Sequence, residues 1–138
     1  MGDPGTTYTY SGLRLDPDPW SPPVLELRAV ASEAAGCEFN SVLLNRYRSG
    51  RDALAWHADD EPELGPEPTI ASVSLGASRR FRLRRRDDHA TSIGLDLPGG
   101  SVLVMAGATQ RDWEHCVPRT ARPVGERLNL TFRRIVPA

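Results

Sequence analysis

A histidine and a carboxylate stand two residues apart in the stretch ALAWHADDEPEL. Side chains at positions i and i+2 of an extended segment project from one face, so His57 and Asp59 could bind one metal ion together. A third ligand would have to come from elsewhere in the chain. His89 lies in the polar connection RRDDHATS, where we expect a solvated side chain. His115 lies in RDWEHCVP, where an extended backbone would place Trp113 on the same face and let the imidazole enter a lined cavity.

Two histidines and one carboxylate are the ligand set of the facial triad, which leaves positions on non-haem Fe(II) open for an oxidant and a substrate. A His-x-Asp pair with a distant histidine is also common by chance. A loop histidine beside an acid is therefore the alternative interpretation of His57, and the remaining motifs must decide between the two.

The segment ERLNLTFRRI alternates between apolar and polar side chains, as a strand with two different faces does. The apolar face would carry Leu128, Leu130 and Phe132, and the polar face would carry Arg127, Asn129, Thr131 and Arg133. If the polar face meets water, the segment is an ordinary edge strand, which is the commoner case. If it faces into a barrel, two buried guanidinium groups require carboxylates or a bound anion. A dicarboxylate would satisfy both through charge-assisted hydrogen bonds.

The segment LLNRY repeats this pattern on a smaller scale. Asn45 and Tyr47 share one face of an extended backbone, and Leu44 and Arg46 share the other. An amide and a phenol could complete the same anion site. The alternative is a tyrosine packed at the rim of a sheet beside a surface asparagine.

One helix and a series of short strands are predicted. The helical pattern begins near Val24 and ends at Gly36, and its other apolar positions are Leu27, Val30, Ala31 and Ala34. Strand-like runs follow in the order FNSVLLNRY, TIASVSLG, RRFRLRRR, SIGLDL, SVLVMAG and RLNLTFRRI. Short strands at regular spacing predict a mainly β sandwich or jelly roll with one flanking N-terminal helix.

The composition indicates one domain without a membrane span. A chain of 138 residues is large enough for one core and too small for two. The formal net charge of -1 argues against a protein that coats nucleic acid by bulk attraction, although a local basic patch remains compatible with it. We expect Cys37 and Cys116 to be free thiols in a reducing, cytoplasmic compartment.

Taken in order, the motifs NRY, HADDE, IASVSLG, DWEHCVP and RLNLTFR resemble those of the AlkB family of Fe(II)- and 2-oxoglutarate-dependent nucleic-acid dealkylases. The resemblance extends from TYTYSG to NLTFRRI and is greatest to the branch with duplex-DNA repair members and their bacterial relatives. It implies the family's jelly roll, the double-stranded β-helix.

The resemblance also implies roles for individual residues. His57, Asp59 and His115 would hold Fe(II). Arg127 and Tyr47 would bind the distal carboxylate of the co-substrate 2-oxoglutarate. The residues around its metal-chelating end would be Asn45, Asn129 and Arg133.

The implied reaction is oxidative demethylation of N-alkylated bases, such as 1-methyladenine and 3-methylcytosine, in DNA or RNA. Oxygen and 2-oxoglutarate would be consumed, and succinate, carbon dioxide and formaldehyde released. The resemblance implies a DNA-repair enzyme, and we expect a monomer with no membrane partner.

Substrate contacts are implied for a few further side chains. Tyr10 would form one wall of a slot for an unstacked base, with the ring of His57 opposite, and Asp60 would contact the exocyclic nitrogen of that base. Arg79, which opens the basic run continuing to Arg86, would contact the nucleic-acid backbone. The alternative for that run is a solvated basic face without a partner. The alternative for Tyr10 is an ordinary aromatic side chain at the rim of a sheet.

The sequence departs from the family at its start. Residues 1–15 would be part of the nucleotide-recognition lid of a single dioxygenase domain spanning residues 1–138, and the family's upstream lid sequence is expected to be missing. Two other functions therefore stay open. One is a catalytically weak nucleic-acid-binding module of the same fold, and the other is a 2-oxoglutarate oxygenase with a non-nucleic-acid substrate.

Overall fold

Two four-stranded antiparallel sheets face each other around the candidate site in a computed structural model that describes residues 1–10 and 12–136. The side chains of Tyr8, Tyr10 and Leu15 lie outside the description. The elements, in chain order, are β1 (Tyr8–Tyr10), β2 (Leu13–Leu15), α1 (Pro22–Ala35), β3 (Ser41–Tyr47), β4 (Leu54–His57), a 3-10 turn (Pro62–Leu64), β5 (Ile70–Gly76), β6 (Arg79–Arg85), β7 (Ser92–Leu97), β8 (Val102–Met105), α2 (Thr109–Asp112), β9 (Trp113–Val117) and β10 (Arg127–Arg133).

The strand order is that of a jelly roll. One sheet has the order β3-β10-β5-β8, the other has the order β4-β9-β6-β7, and β1 and β2 form a separate hairpin. Strands distant in sequence are therefore neighbours in each sheet. The predicted mainly β fold with one main helix is confirmed.

Strand β10 lies inside its sheet, between β3 and β5, and both of its faces are covered. Its apolar face places Leu130 and Phe132 in a core cluster with Val24 and Ala31 of α1. Its polar face points into the space between the sheets, where Arg127 is 1% exposed. The edge-strand interpretation of this segment is therefore wrong.

Helix α1 covers the outer face of the β10 sheet. Proline stands in its first turn, where no intrahelical N–H is required, and Gly36 ends it with a left-handed φ of 70°. Val24 and Ala31 are buried, but Val30 is 50% exposed, so the predicted pattern is wrong at this position. The reason is angular, because six residues from Val24 the helix has turned away from the sheet.

A short helix, α2, directly precedes β9. The sequence does not predict it, because a four-residue turn is too short to produce a periodic pattern.

Cys37 and Cys116 are free thiols, as predicted. Over the described ranges, no helix combines the length and the hydropathy that crossing a membrane would require.

Candidate active site

The structure brings together the three side chains predicted as metal ligands. Strands β4 and β9 pair antiparallel with His57 opposite His115, and the two imidazole centroids are 4.3 Å apart. Asp59 follows two residues beyond the end of β4. One ligand atom from each of His57, Asp59 and His115 lies within 4.8 Å of the others, a spacing at which a single ion can bind all three.

The carboxylate of Asp59 is buried and only half satisfied. It is 1% exposed, and its Oδ2 accepts hydrogen bonds from Nη2 (3.0 Å) and Nε (3.3 Å) of Arg133. Its Oδ1 has no hydrogen-bond partner among the described residues and lies 3.7 Å from Nε2 of His57. A buried carboxylate oxygen without a donor is costly, so this atom fits a bound cation.

Each imidazole has a feature that suits a metal ligand. Nδ1 of His57 donates to the carbonyl of Ala55 (2.8 Å), which orients the ring with Nε2 towards Asp59. Burial, followed by the neighbouring His57, lowers the pKa of His115 to about 4. His115 is therefore uncharged at neutral pH, the state that metal binding requires.

A second set of polar side chains lines the same cavity and is arranged for an anion. Nη2 of Arg127 donates to Oγ of Ser74 (2.9 Å), and its guanidinium carbon lies 5.0 Å from the ring centroid of Tyr47. Nε and Nη1 of Arg127 are buried with no hydrogen-bond acceptor in the described part of the chain. Burial lowers the pKa of Arg127. A carboxylate could accept from the guanidinium and compensate its charge, so the residues present fit a dicarboxylate.

Two residues expected near the chelating end of 2-oxoglutarate also make bonds within the protein. Nδ2 of Asn129 donates to Oγ of Ser72 (2.7 Å) and to the carbonyl of Val73 (3.2 Å). Arg133 holds Asp59, as described above. Both line the cavity together with Asn45, so they remain within reach of a ligand while fixing the walls around it.

Two of the predicted substrate contacts stay predictions. Asp60 is exposed, and Arg86 Nη2 lies 2.9 Å from its Oδ2, but nothing in the structure tests its contact with a base. The side chain of Tyr10 lies outside the described residues, so its predicted role stays a prediction.

The prediction that Arg79 contacts the nucleic-acid backbone is wrong. Its side chain is buried, with 3% of the residue exposed, and it donates to the carbonyls of Ser49 (3.2 Å), Asp52 (2.9 Å) and Pro118 (2.8 Å). These bonds tie the loop after β3 to the end of β9. The buried guanidinium is therefore directed at backbone carbonyls and away from a phosphate in solvent.

Replacing Arg79 with methionine is expected to lower the free energy of unfolding by about 3 kcal/mol, because three carbonyls lose their donor inside the fold. Urea denaturation measures this loss. Arg80→Met, which removes an exposed pair with Asp96, is the matched control and should cost less than about 1 kcal/mol. Equal stability of the two variants would contradict the structural role of Arg79.

The basic run beyond Arg79 is largely paired with acids. Separate carboxylates lie within 4.0 Å of four of its arginines, in the pairs Arg80–Asp96, Arg84–Glu114, Arg85–Asp87 and Arg86–Asp60. Arg82 and Arg84 also lie over the ring of Trp56, at 5.6 and 4.0 Å from its centroid. The surface is less cationic than the run of arginines suggests.

The metal triad and the anion cavity within a jelly roll define the class of the protein. The chain belongs to the 2OG-Fe(II) oxygenase superfamily, whose model matches residues 1–133. The Fe(II) and 2-oxoglutarate cofactors predicted from the motifs are those of this superfamily, and the His-Asp-His cluster fits the metal.

Its relatives include enzymes that act on DNA. The chain is 44% identical over 143 residues to a mouse protein named DNA oxidative demethylase ALKBH2, covering 99% of this chain and 60% of that protein. It is 42% identical over 139 residues to the bovine Alpha-ketoglutarate-dependent dioxygenase alkB homolog 3, covering 94% of this chain and 49% of that protein. The chain thus spans about half the length of the curated relatives it matches.

A solved structure shares the fold. The structure of OsALKBH1 superposes with a TM-score of 0.68 at 23% sequence identity, covering 84% of this chain and 65% of that one. This likeness supports the architecture of the two sheets.

Proposed function

We propose that the chain catalyses oxidative demethylation of N-alkylated bases, of the 1-methyladenine and 3-methylcytosine type, in DNA. The observation that carries this proposal is one cavity lined both by the His57, Asp59 and His115 cluster and by the incompletely satisfied guanidinium of Arg127. The name DNA oxidative demethylase, given to relatives at 44% identity, supports the substrate.

The reaction would consume one O₂ and one 2-oxoglutarate for each methyl group. Fe(II), held by His57, Asp59 and His115, would supply the oxidising chemistry when bound. One oxygen atom enters succinate as 2-oxoglutarate loses carbon dioxide. The other converts the N-methyl group to a hydroxymethyl group, which leaves as formaldehyde and restores the base.

The remaining cavity residues would bind and orient the co-substrate. Arg127 and Tyr47 would bind its distal carboxylate, which could accept hydrogen bonds from Nε and Nη1 of Arg127. Asn45, Asn129 and Arg133 would line the other end, where Arg133 also fixes Asp59.

The substrate base would enter beside the metal cluster. The exposed Asp60, one residue beyond Asp59, would accept a hydrogen bond from an exocyclic amino group, and Tyr10 would stack on the base. The hairpin of β1 and β2 would form part of the nucleotide-recognition lid within residues 1–15. A monomeric, cytoplasmic enzyme stays our prediction.

A turnover assay with three methylated substrates tests the proposal. Oligonucleotides carrying 1-methyladenine are supplied as single-stranded DNA, duplex DNA and RNA, and formaldehyde and succinate are both quantified. Formaldehyde from DNA in step with succinate is the expected result. Binding without either product would favour the nucleic-acid-binding module, and formaldehyde from RNA alone would move the substrate to RNA. Succinate that no oligonucleotide stimulates would favour another substrate class.

Tyr10→Ala is expected to separate the two products. Loss of the stacking ring should lower formaldehyde release by about 10-fold, because base stacking on an aromatic side chain contributes about 1–3 kcal/mol. Succinate formation uncoupled from demethylation should continue. Tyr10→Phe keeps the ring and serves as the control, with turnover close to that of the unaltered protein. If Tyr10→Ala demethylates normally, the stacking role is wrong.

A further inference from the structure

Asp59 lies where the β-sheet no longer holds the backbone. The last residue pair between β4 and β9 joins His57 to His115, so the residues that follow leave the ladder. The backbone N–H of Asp59 instead donates to the side-chain Oε1 of Gln110 (2.9 Å). A residue from α2 therefore replaces the missing strand partner.

Gln110 is built into the interior. It is 1% exposed and is among the largest fully buried side chains of the described residues. Its Nε2 lies 3.5 Å from the sulfur of Met105, a weak acceptor. Because an N–H needs an acceptor, the bond to Asp59 assigns the amide oxygen to that side and fixes the orientation of the whole group.

The backbone of Gln110 is fixed by Arg86, at the end of the neighbouring strand β6. Nη2 of Arg86 donates to the carbonyl of Gln110 (2.8 Å) and also lies 2.9 Å from Oδ2 of Asp60. The N–H of Arg86 donates to the carbonyl of Asp112 (2.9 Å). The turn that carries Gln110 is thus tied to β6 and to the residue next to Asp59.

We propose that Gln110 is a positioning residue for the metal-binding carboxylate, an inference that rests on the proposed metal site. Gln110 holds the main chain of Asp59, and Arg133 holds its Oδ2. With both restraints in place, Oδ1 is the carboxylate oxygen left to face His57 and the ion. Neither Gln110 nor Arg133 belongs to the ligand cluster, so the effect of Gln110 would be on the geometry and affinity of metal binding.

The test measures Co(II) binding to the chain without substrate. Gln110→Met keeps the length of the side chain but removes the acceptor. Gln110→Asn keeps the amide but shortens the side chain by one methylene, which moves the amide away from the N–H of Asp59. Arg111→Met is the matched control, because Arg111 lies in the same turn and is exposed, with its ion pairs to Glu67 and Asp112. Calorimetry gives the Co(II) affinity, the visible absorption of Co(II) reports its coordination, and melting in EDTA gives the stability of the metal-free fold.

Gln110→Met is expected to weaken Co(II) binding by about 10-fold, in the range found for partners that orient metal ligands, and to alter the Co(II) absorption. Arg111→Met should bind Co(II) normally. If Gln110→Met is too unstable to study, Gln110→Asn should show a smaller loss in the same direction.

Unchanged Co(II) affinity and absorption in the folded variants, with a lower melting temperature in EDTA, would overturn the proposal and leave Gln110 a packing residue. A wild-type chain that binds no Co(II) would overturn it together with the metal site. A chain that shows the expected Co(II) losses but demethylates no substrate would contradict only the proposed function.

Discussion

Replacing Arg127 with methionine is expected to lower the affinity for 2-oxoglutarate by about 100-fold or more, which corresponds to ~2.7 kcal/mol. The guanidinium is almost fully buried, and two of its nitrogens lack an acceptor in the residues described. A carboxylate bound there would accept charge-assisted hydrogen bonds away from water. Removing one partner of such a buried pair typically costs about 2–5 kcal/mol in binding free energy. Calorimetric titration of 2-oxoglutarate with Mn(II) present measures the loss.

The same substitution should make the ligand-free protein more stable. An incompletely compensated buried charge disfavours folding, and methionine removes it with a similar apolar volume, so we expect a gain of about 1 kcal/mol in the free energy of unfolding. Arg46→Met, on the exposed face of β3 beside Glu126, is the control and should alter neither quantity appreciably. Unchanged 2-oxoglutarate affinity in Arg127→Met would remove this residue from the co-substrate site.

His57→Ala is expected to reduce demethylation by about 10³-fold or more, equivalent to ~4 kcal/mol in the activation free energy. The substitution removes one of three protein ligands, and the geometry of the remaining Asp59 and His115 cannot hold the ion in a facial arrangement. The side chain of His57 is 24% exposed, so the core should survive its loss. Formaldehyde release under saturating Fe(II) and 2-oxoglutarate provides the measurement.

The control for this substitution is His89→Ala. His89 lies on an exposed loop, 3.4 Å from Glu114 and outside the metal cluster, so its loss should leave turnover intact. Circular dichroism of both variants establishes that they are folded. Full turnover by a folded His57→Ala variant would end the metal assignment.

Local alternation predicted much of the site. In β10 the period of two separated Arg127 from Leu130, and in β3 it put Asn45 and Tyr47 on the same side; the structure has both arrangements. Which face of β10 turned inward could not be decided locally. That choice depends on the pairing of β10 with β3 and β5, in which each residue lies more than 50 positions from its partner in sequence.

The wrong prediction for Arg79 could have been avoided, because the alternation along β6 indicates that this side chain is buried. Arg79 shares its side of β6 with Phe81, which is 4% exposed, whereas Arg80 and Arg82 face solvent. The charge of the run alone does not distinguish the inward-facing Arg79 from its solvent-facing neighbours. Gln110 offered no such indication, because a single glutamine in a short turn matches no ligand spacing, and its contact with Asp59 spans 51 residues.

The central place of β10 has a consequence for biosynthesis. Strands β3 and β5 leave the ribosome well before β10, yet within their sheet they are joined only through it. A nascent chain that has produced His57 and Asp59 still lacks Arg127 and Arg133, so the cavity between the two sheets is incomplete until β10 has been synthesised. A metal ion bound before that point would meet an Asp59 that Arg133 does not yet hold, and the site is complete only after β10 has inserted between β3 and β5.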